Sequence, residues 1–185
     1  YAGGQVASGS QVGLLGNRSI MDTPFNQTSY TAKTIQDQQA RKLDDVLAND
    51  PSVRPSVPRA YGFDFISIRG FDVPSSAYGI KGLDGIARAF SFSSLAAIER
   101  VEVLQGPGAL LNGMPPGGGV GGSVNLVTKR ATDDPITQIT NTYASRSQFG
   151  THLDVGRRYG ESNEFGARFN GSYPNGDTDL AYQRQ

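Results

Sequence analysis

The chain has 185 residues and a mass of 19.7 kDa, with 17 basic and 17 acidic residues and a formal net charge of zero. That balance argues against a nucleic-acid binder held by a basic field, and zero cysteines exclude disulfides, thiolate metal sites and cysteine nucleophiles. Hydrophobic residues make up 37%, low for a globular domain, while glycine is 24 of 185, nearly twice its usual ~7% share.

No apolar run approaches the ~18 residues of a membrane-crossing helix. Barrel strands stay open, because they leave a much weaker signal. Residues 1–10 lack the charged start and apolar run of a signal peptide. The chain opens on Tyr rather than Met and so reads as a mature or trimmed fragment.

Residues 1–30 are mixed and rich in Gly, Ser, Asn and Gln, and 1–17 read mostly as loop. Phe25, Gln27 and Ser29 suit a short strand after Pro24. The spacing of Ile35, Leu43, Val46 and Leu47 predicts one helix near 34–48. Thr31 or Thr34 is its N-cap, with Asp37 in a capping-box position after Thr34. Pro51 ends it, since a proline disfavours helix at the residue before it. Three prolines make residues 51–60 an extended connection. Residues 63–71 are rich in β-formers, and 78–90 read as β-like with Gly turns. Residues 94–98 suit a helical turn, 100–104 a strand, 109–111 a short helix, and 124–128 a further strand. Eight glycines fall within residues 106–122.

The pattern changes near 130–135, where Pro135 interrupts the chain. Phe149, Thr151, Leu153 and Val155 alternate with Gly150, His152, Asp154 and Gly156. Phe165, Ala167, Phe169, Gly171 and Tyr173 alternate with polar partners in the same way. This is period two, with one apolar and one polar face, over lengths near the ~9–11 residues of a barrel strand. Residues 157–163 read as the turn between them, and 136–145 as a weaker preceding strand.

Four ordered motifs carry a resemblance. They are Asp22-Thr23-Pro24-Phe25; Leu43-Asp44-Asp45-Val46-Leu47 with Asn49-Asp50-Pro51; Ile68-Arg69-Gly70-Phe71; and residues 96–130, with Ile98-Glu99-Arg100-Val101-Glu102-Val103-Leu104-Gln105-Gly106-Pro107-Gly108 and, beyond the Gly-rich stretch, Ser123-Val124-Asn125-Leu126-Val127-Thr128. Together they resemble the plug domain of TonB-dependent outer-membrane receptors, in the siderophore-receptor branch. The resemblance covers roughly residues 9–175. It implies an N-terminal segment at 1–8, an α+β plug domain with a small mixed sheet at 9–130, and at 131–185 the first antiparallel strands of a 22-stranded transmembrane β-barrel.

The resemblance further implies TonB-energised import of a ferric siderophore across the bacterial outer membrane, with the plug occluding the barrel. Expected partners are a TonB-type protein, whose contact segment is expected upstream of Tyr1, the ferric siderophore, and lipid around the barrel; no nucleic acid is expected. No cofactor or protein-held metal is expected, the iron being carried inside the siderophore. No enzymatic activity is implied. The family usually has Arg before the Gly-Pro, where this chain has Gln105. In the family that Arg and the Arg of the Arg-Gly-Phe motif pair with barrel carboxylates, and only Arg69 remains here.

Candidate residues carry two readings each. Arg69, Glu99, Arg100 and Glu102 are either solvated strand charges, worth little as pairs, or plug–barrel ion pairs in a partly dehydrated lumen, costly to leave unmatched. Arg88, Phe90 and Phe92, with Tyr61 and Tyr78, are either plug core or an apical surface stacking on an anionic iron chelate. The Gly-rich loop lacks the Gly-Lys-Ser/Thr of a phosphate-binding loop and suits close backbone approach. His152 stands alone, without partners for a triad or a His-based metal site. Rival functions are a soluble β-rich binding module, adhesin-like or carbohydrate-binding, in which the apolar stripe is a sandwich face, and a hydrolase. Another cargo such as cobalamin, heme or sugar stays within the receptor class.

Overall fold

The computed structural model describes residues 4–11, 16–56, 65–73, 81–83, 86–87, 94–112, 120–145 and 147–176. The chain divides into two compact units, Tyr1–Thr128 and Lys129–Gln185. In chain order the first contains β1 (Gly9–Gln11), β2 (Asn17–Ser19), a 3-10 turn (Ile20–Asp22), β3 (Asn26–Thr31), α1 (Ala32–Asp37), α2 (Leu43–Leu47), β4 (Val53–Pro55), β5 (Ile66–Ile68), β6 (Phe71–Val73), β7 (Lys81–Leu83), β8 (Ile86–Ala87), β9 (Ile98–Gln105), α3 (Ala109–Asn112) and β10 (Gly122–Thr128).

The main sheet follows from alternation in β9. Val101 and Val103 point to one face, and Arg100 and Glu102 to the other. The sheet order is β3-β9-β10-β7-β8, with β10 and β7 parallel and the remaining neighbours antiparallel, so it is a mixed sheet. Register sets Tyr30 and Leu126 beside Val101, and Val124 beside Val103. Leu43, Val46 and Leu47, at helical spacing on α2, add to the same buried cluster, as do Ile66 and Ile68 of β5. Each such side chain contributes roughly 1.5–3 kcal/mol by leaving water. Among the described residues the cluster, with Val6 and Ala40 packed against it, is drawn from the first unit alone.

Several sequence expectations are revised. Residues 34–48 form two helices instead of one. Gln39 takes φ 50, its N–H donates to the Gln36 carbonyl, and Ala40 N–H donates to the Ile35 carbonyl. That is the helix-ending motif usually built on glycine. The second helix restarts at once, because the Asp45 carboxylate accepts the Arg41 and Lys42 N–H groups at 2.9 and 3.0 Å. Thr31 is the N-cap residue but makes no side-chain cap bond. The Thr31 hydroxyl donates to the Gly4 carbonyl, and that of Thr34 to Gln5. Asp37 pairs with Lys33, one turn earlier on the helix, at 2.7 Å. Residues 1–17 include β1, which pairs with β2. The 63–71 stretch contains a hairpin, β5 to β6. Ile98 joins β9 instead of ending a helical turn, and β10 begins at Gly122.

The second unit is a three-stranded antiparallel sheet of β11 (Ile136–Ala144), β12 (Gln148–Tyr159) and β13 (Phe165–Asn175), in that order. Its second turn begins after Tyr159, later than periodicity predicts. Register sets Tyr143 opposite Phe149, Phe169 opposite Val155, and Phe165 opposite Tyr159. All seven of Ile139, Tyr143, Phe149, Tyr159, Phe165, Phe169 and Tyr173 therefore share one face, and each is between 60% and 73% exposed. The opposite face carries His152, Asp154, Arg168, Asn170 and Ser172. Among the described residues no helix is long and apolar enough to cross a membrane.

Candidate functional site

Ile68 pairs with Phe71, so Arg69 and Gly70 are the two central residues of the hairpin turn. Their φ values, 53 and 84, are those of the turn whose twist matches the strands. Arginine in this region costs on the order of 1–3 kcal/mol, a strain typical of sites where the side chain has a task. The Arg69 N–H donates to the Ser52 carbonyl at 2.8 Å. Its Nη2 donates to Gln105 Oε1 at 2.9 Å. Gln105 Nε2 donates onward to Asp50, at 3.0 Å to Oδ2 and 3.3 Å to Oδ1. Asp50 is 2% exposed, and its Oδ1 also accepts the Ser52 N–H and hydroxyl at 2.9 and 2.7 Å.

The Gln105 amide is the relay. It offers an acceptor to Arg69 and a donor to Asp50, which no cationic side chain at this place can do. Asp50 also acts on Tyr30. Burial first, then the Asp50 charge, pushes the Tyr30 phenol up to about 12.

The end of the Gly-rich stretch closes on the same hairpin. A Cβ on Gly121 would stand 2.7 Å from the Ile68 carbonyl oxygen, and one on Gly122, at φ 142, would stand 2.0 Å from that of Leu104. Gly106 N–H donates to the Gly121 carbonyl at 2.8 Å. Close backbone approach is therefore what these two glycines permit.

On the polar face of the main sheet, Ser29, Glu102 and Asn125 line up across β3, β9 and β10. Glu102 is 5% exposed; its Oε1 accepts Arg100 Nε at 2.8 Å and its Oε2 accepts Asn125 Nδ2 at 2.9 Å. Of the four residues assigned to plug–barrel pairing, Arg100 and Glu102 thus pair with each other inside the first unit. Arg69 is held in the Gln105–Asp50 network, and Glu99 is exposed on β9. Arg88, Phe90, Phe92, Tyr61 and Tyr78 lie outside the described residues.

In the second unit, Asp154 is 1% exposed and accepts Arg168 Nε at 2.8 Å, Arg168 Nη2 at 2.7 Å and Lys129 Nζ at 3.0 Å. His152, opposite Ser172, and Asn170, opposite Asp154, lie diagonally across β12 and β13 and are hydrogen-bonded at 3.2 Å. Among the described residues no group of three or more His, Asp or Glu side chains comes together to hold a metal.

Sequence reasoning missed Asp50, Asp154, Lys129 and Arg168 as interacting groups. Their partners lie 55, 25 and 14 residues away in the chain, beyond any local pattern. Gln105 was visible only as a departure from a motif.

Residues 19–120 match the TonB-dependent receptor plug domain. Across its whole length the chain is 41% identical to the ferrichrome receptor FcuA of Yersinia enterocolitica, of which it spans 24%. The solved structure of BauA, the ferric preacinetobactin receptor of Acinetobacter baumannii, is 49% identical with a TM-score of 0.88, over 97% of this chain and 27% of that one. The ferric-catecholate import receptor Fiu of E. coli K12, in its open form, is 27% identical with a TM-score of 0.71, over 86% of this chain and 22% of that one. The chain thus spans about a quarter of the length of these relatives. With more than half of its residues matched to that domain, and the same fold in both solved relatives, the chain belongs to the TonB-dependent receptor family and carries its plug.

Proposed function

We propose that this chain is the plug and the first wall strands of an outer-membrane receptor that imports a ferric siderophore. The observation that carries the reading is the apolar stripe on the second sheet. Seven large apolar side chains face outward from one side, while the other side is polar and charged. A soluble module would cover such a stripe; lipid covers it in a barrel. Its composition fits too. Phe149 and Tyr159 are ten residues apart on β12. At ~3.3 Å per residue that is roughly 33 Å of strand, or about 25 Å along the membrane normal at a ~40° tilt. Tyr143, Phe149 and Tyr173 gather toward one end and Tyr159 and Phe165 at the other, with Ile139, Leu153, Val155 and Phe169 between and Arg157 beside the second rim. Aromatic rims at both ends of an apolar band are the pattern of a transmembrane barrel.

The family pattern gives a barrel of 22 strands in all, of which β11, β12 and β13 are the first three. The named relatives receive ferrichrome, ferric preacinetobactin or ferric catecholates, which favours a ferric siderophore as cargo over cobalamin, heme or sugar. Iron then travels inside the chelate, and the protein needs no cofactor of its own. Arg88, Phe90 and Phe92, with Tyr61 and Tyr78, are the plug residues proposed to meet the chelate through charge and stacking. Arg69 and Glu99 are proposed to face barrel carboxylates and cations. Release of the plug needs work, and the outer membrane has neither ATP nor a gradient of its own, so a TonB-type partner supplies it mechanically.

The test is uptake of radioactive iron by iron-starved cells carrying the full-length protein, with ferrichrome and ferric preacinetobactin offered separately. Accumulation from at least one chelate, abolished by deletion of TonB, is the expected result. Accumulation unaffected by that deletion, or protein recovered in the soluble fraction, contradicts the reading.

A further inference from the structure

We propose that Asp154 is the anchor that fastens the segment leaving the plug to the barrel wall, and so sets where extraction of the plug stops. The inference rests on reading the second sheet as wall. Lys129 follows Thr128, the last residue of β10, with nothing between. From there residues 129–133 lie across the polar face of β12 and β13 and are held at four points. Lys129 Nζ reaches Asp154 Oδ2 at 3.0 Å. Arg168 Nη1 donates to the Arg130 carbonyl at 2.8 Å. Arg158 Nε donates to the Ala131 carbonyl at 3.3 Å, and its Nη1 stands 3.4 Å from Asp133 Oδ1. The fit is tight as well as polar: a Cβ on Gly166 would stand 3.1 Å from that of Ala131.

Asp154 is the centre of this arrangement. Both its oxygens are used, one cation comes from the wall and one from the departing segment, and all three side chains are buried or nearly so. Arg168 sits diagonally across from it, opposite Gly156, and lies over that glycine. An exposed pair is worth little. A buried, fully bonded carboxylate is costly to break, because it leaves unpaired charge away from water. The four attachments thus form a stop of unequal strength, with the Lys129–Asp154 contact the strongest and the nearest along the chain to β10.

The position matters for a pull from the N-terminal side. β3 is at an edge of the main sheet, β9 is next and β10 follows. Strands removed in chain order reach β10 last, and the next residue is Lys129. The anchor leaves the wall pair Asp154–Arg168 standing even when Lys129 is neutralised, which separates anchoring from wall stability.

The experiment is single-molecule pulling on the full-length protein in phospholipid vesicles, from a handle joined at Tyr1. In the unaltered protein the extracted length pauses when residues 1–128 have been drawn out. In Lys129→Gln the lifetime of that pause at fixed force is shortened at least tenfold, while the earlier steps are unchanged. Lys33→Gln, which breaks an exposed pair on α1, leaves the pause as it was. Asp154→Asn shortens it too, provided that the protein still enters the vesicles. A pause in Lys129→Gln as long-lived as in the unaltered protein overturns the anchor while leaving the receptor reading intact. Failure of the unaltered protein to enter vesicles overturns the membrane reading, and the anchor with it.

Discussion

Tyr30 shows what one residue's surroundings do to its chemistry. Its phenol sits beneath the main sheet's apolar face and within the field of Asp50, and both favour the neutral form. Folded, it titrates at about 12; unfolded, at 10.0. The unfolded chain therefore loses its proton first as the pH rises. The stability that Tyr30 contributes is whole below pH 10 and is lost as the pH climbs through about 12. A shift of this size corresponds to about 3 kcal/mol. Urea midpoints measured from pH 9 to 12 are expected to fall more steeply in the unaltered protein than in Tyr30→Phe, which has no proton to lose. Parallel curves contradict the assignment. None of this is legible in the sequence. Tyr30 is an ordinary β-former there, and Asp50 is the residue before a proline. The same holds for Gln105: its departure from the family pattern is visible, but its role as donor and acceptor between Arg69 and Asp50 needs three separate elements in place.

At the scale of elements, regular strands leave a periodic mark in the sequence and the breaks between elements leave little. The alternation of β9, β12 and β13 predicts strands at the right places, because one-face burial leaves a period of two in the residues themselves. The spacing over 34–48 predicts one helix where the chain forms α1 and α2. Ile35, Leu43, Val46 and Leu47 do fall at helical spacing and are buried, but the chain between them turns. It turns at Gln39, a residue with no reputation for left-handed backbone, so no glycine marked the stop. The hairpin at Arg69 was hidden the same way, since a strand-like run continued through it. Gln39→Gly removes the penalty of a side chain at φ 50, worth about 1 kcal/mol or somewhat more. The thermal midpoint of the first unit, followed by calorimetry, is expected to rise by a few degrees. A lower midpoint contradicts the helix-ending role given to Gln39, since the gain from relieved strain is then absent.

For the whole molecule, the change of periodicity near 130–135 lies just past the division after Thr128. Two physical regimes explain why such a change is readable. The first unit builds a shared buried centre from sheet and helices, so its pattern mixes both periods. The second, among its described residues, builds none and keeps its large apolar residues outward, so period two runs through each of its strands. The plug family is legible from four short motifs in order, three of them tied to a tight place in the fold: the end of α2, the Arg69 turn, and β9 beside β10 with the close approach of Gly121.

The central claim is that β11, β12 and β13 meet lipid on one face only. The chain has no cysteine, so single cysteines placed in it, with any elsewhere in the full-length protein replaced by serine, report each face in turn. Labelled with an environment-sensitive fluorophore in the full-length protein and exposed to brominated phospholipid, Phe149→Cys, Phe169→Cys and Tyr173→Cys are predicted to be strongly quenched. His152→Cys, Asn170→Cys and Ser172→Cys are predicted to stay bright. Equal quenching of both sets, or none in either, contradicts the account.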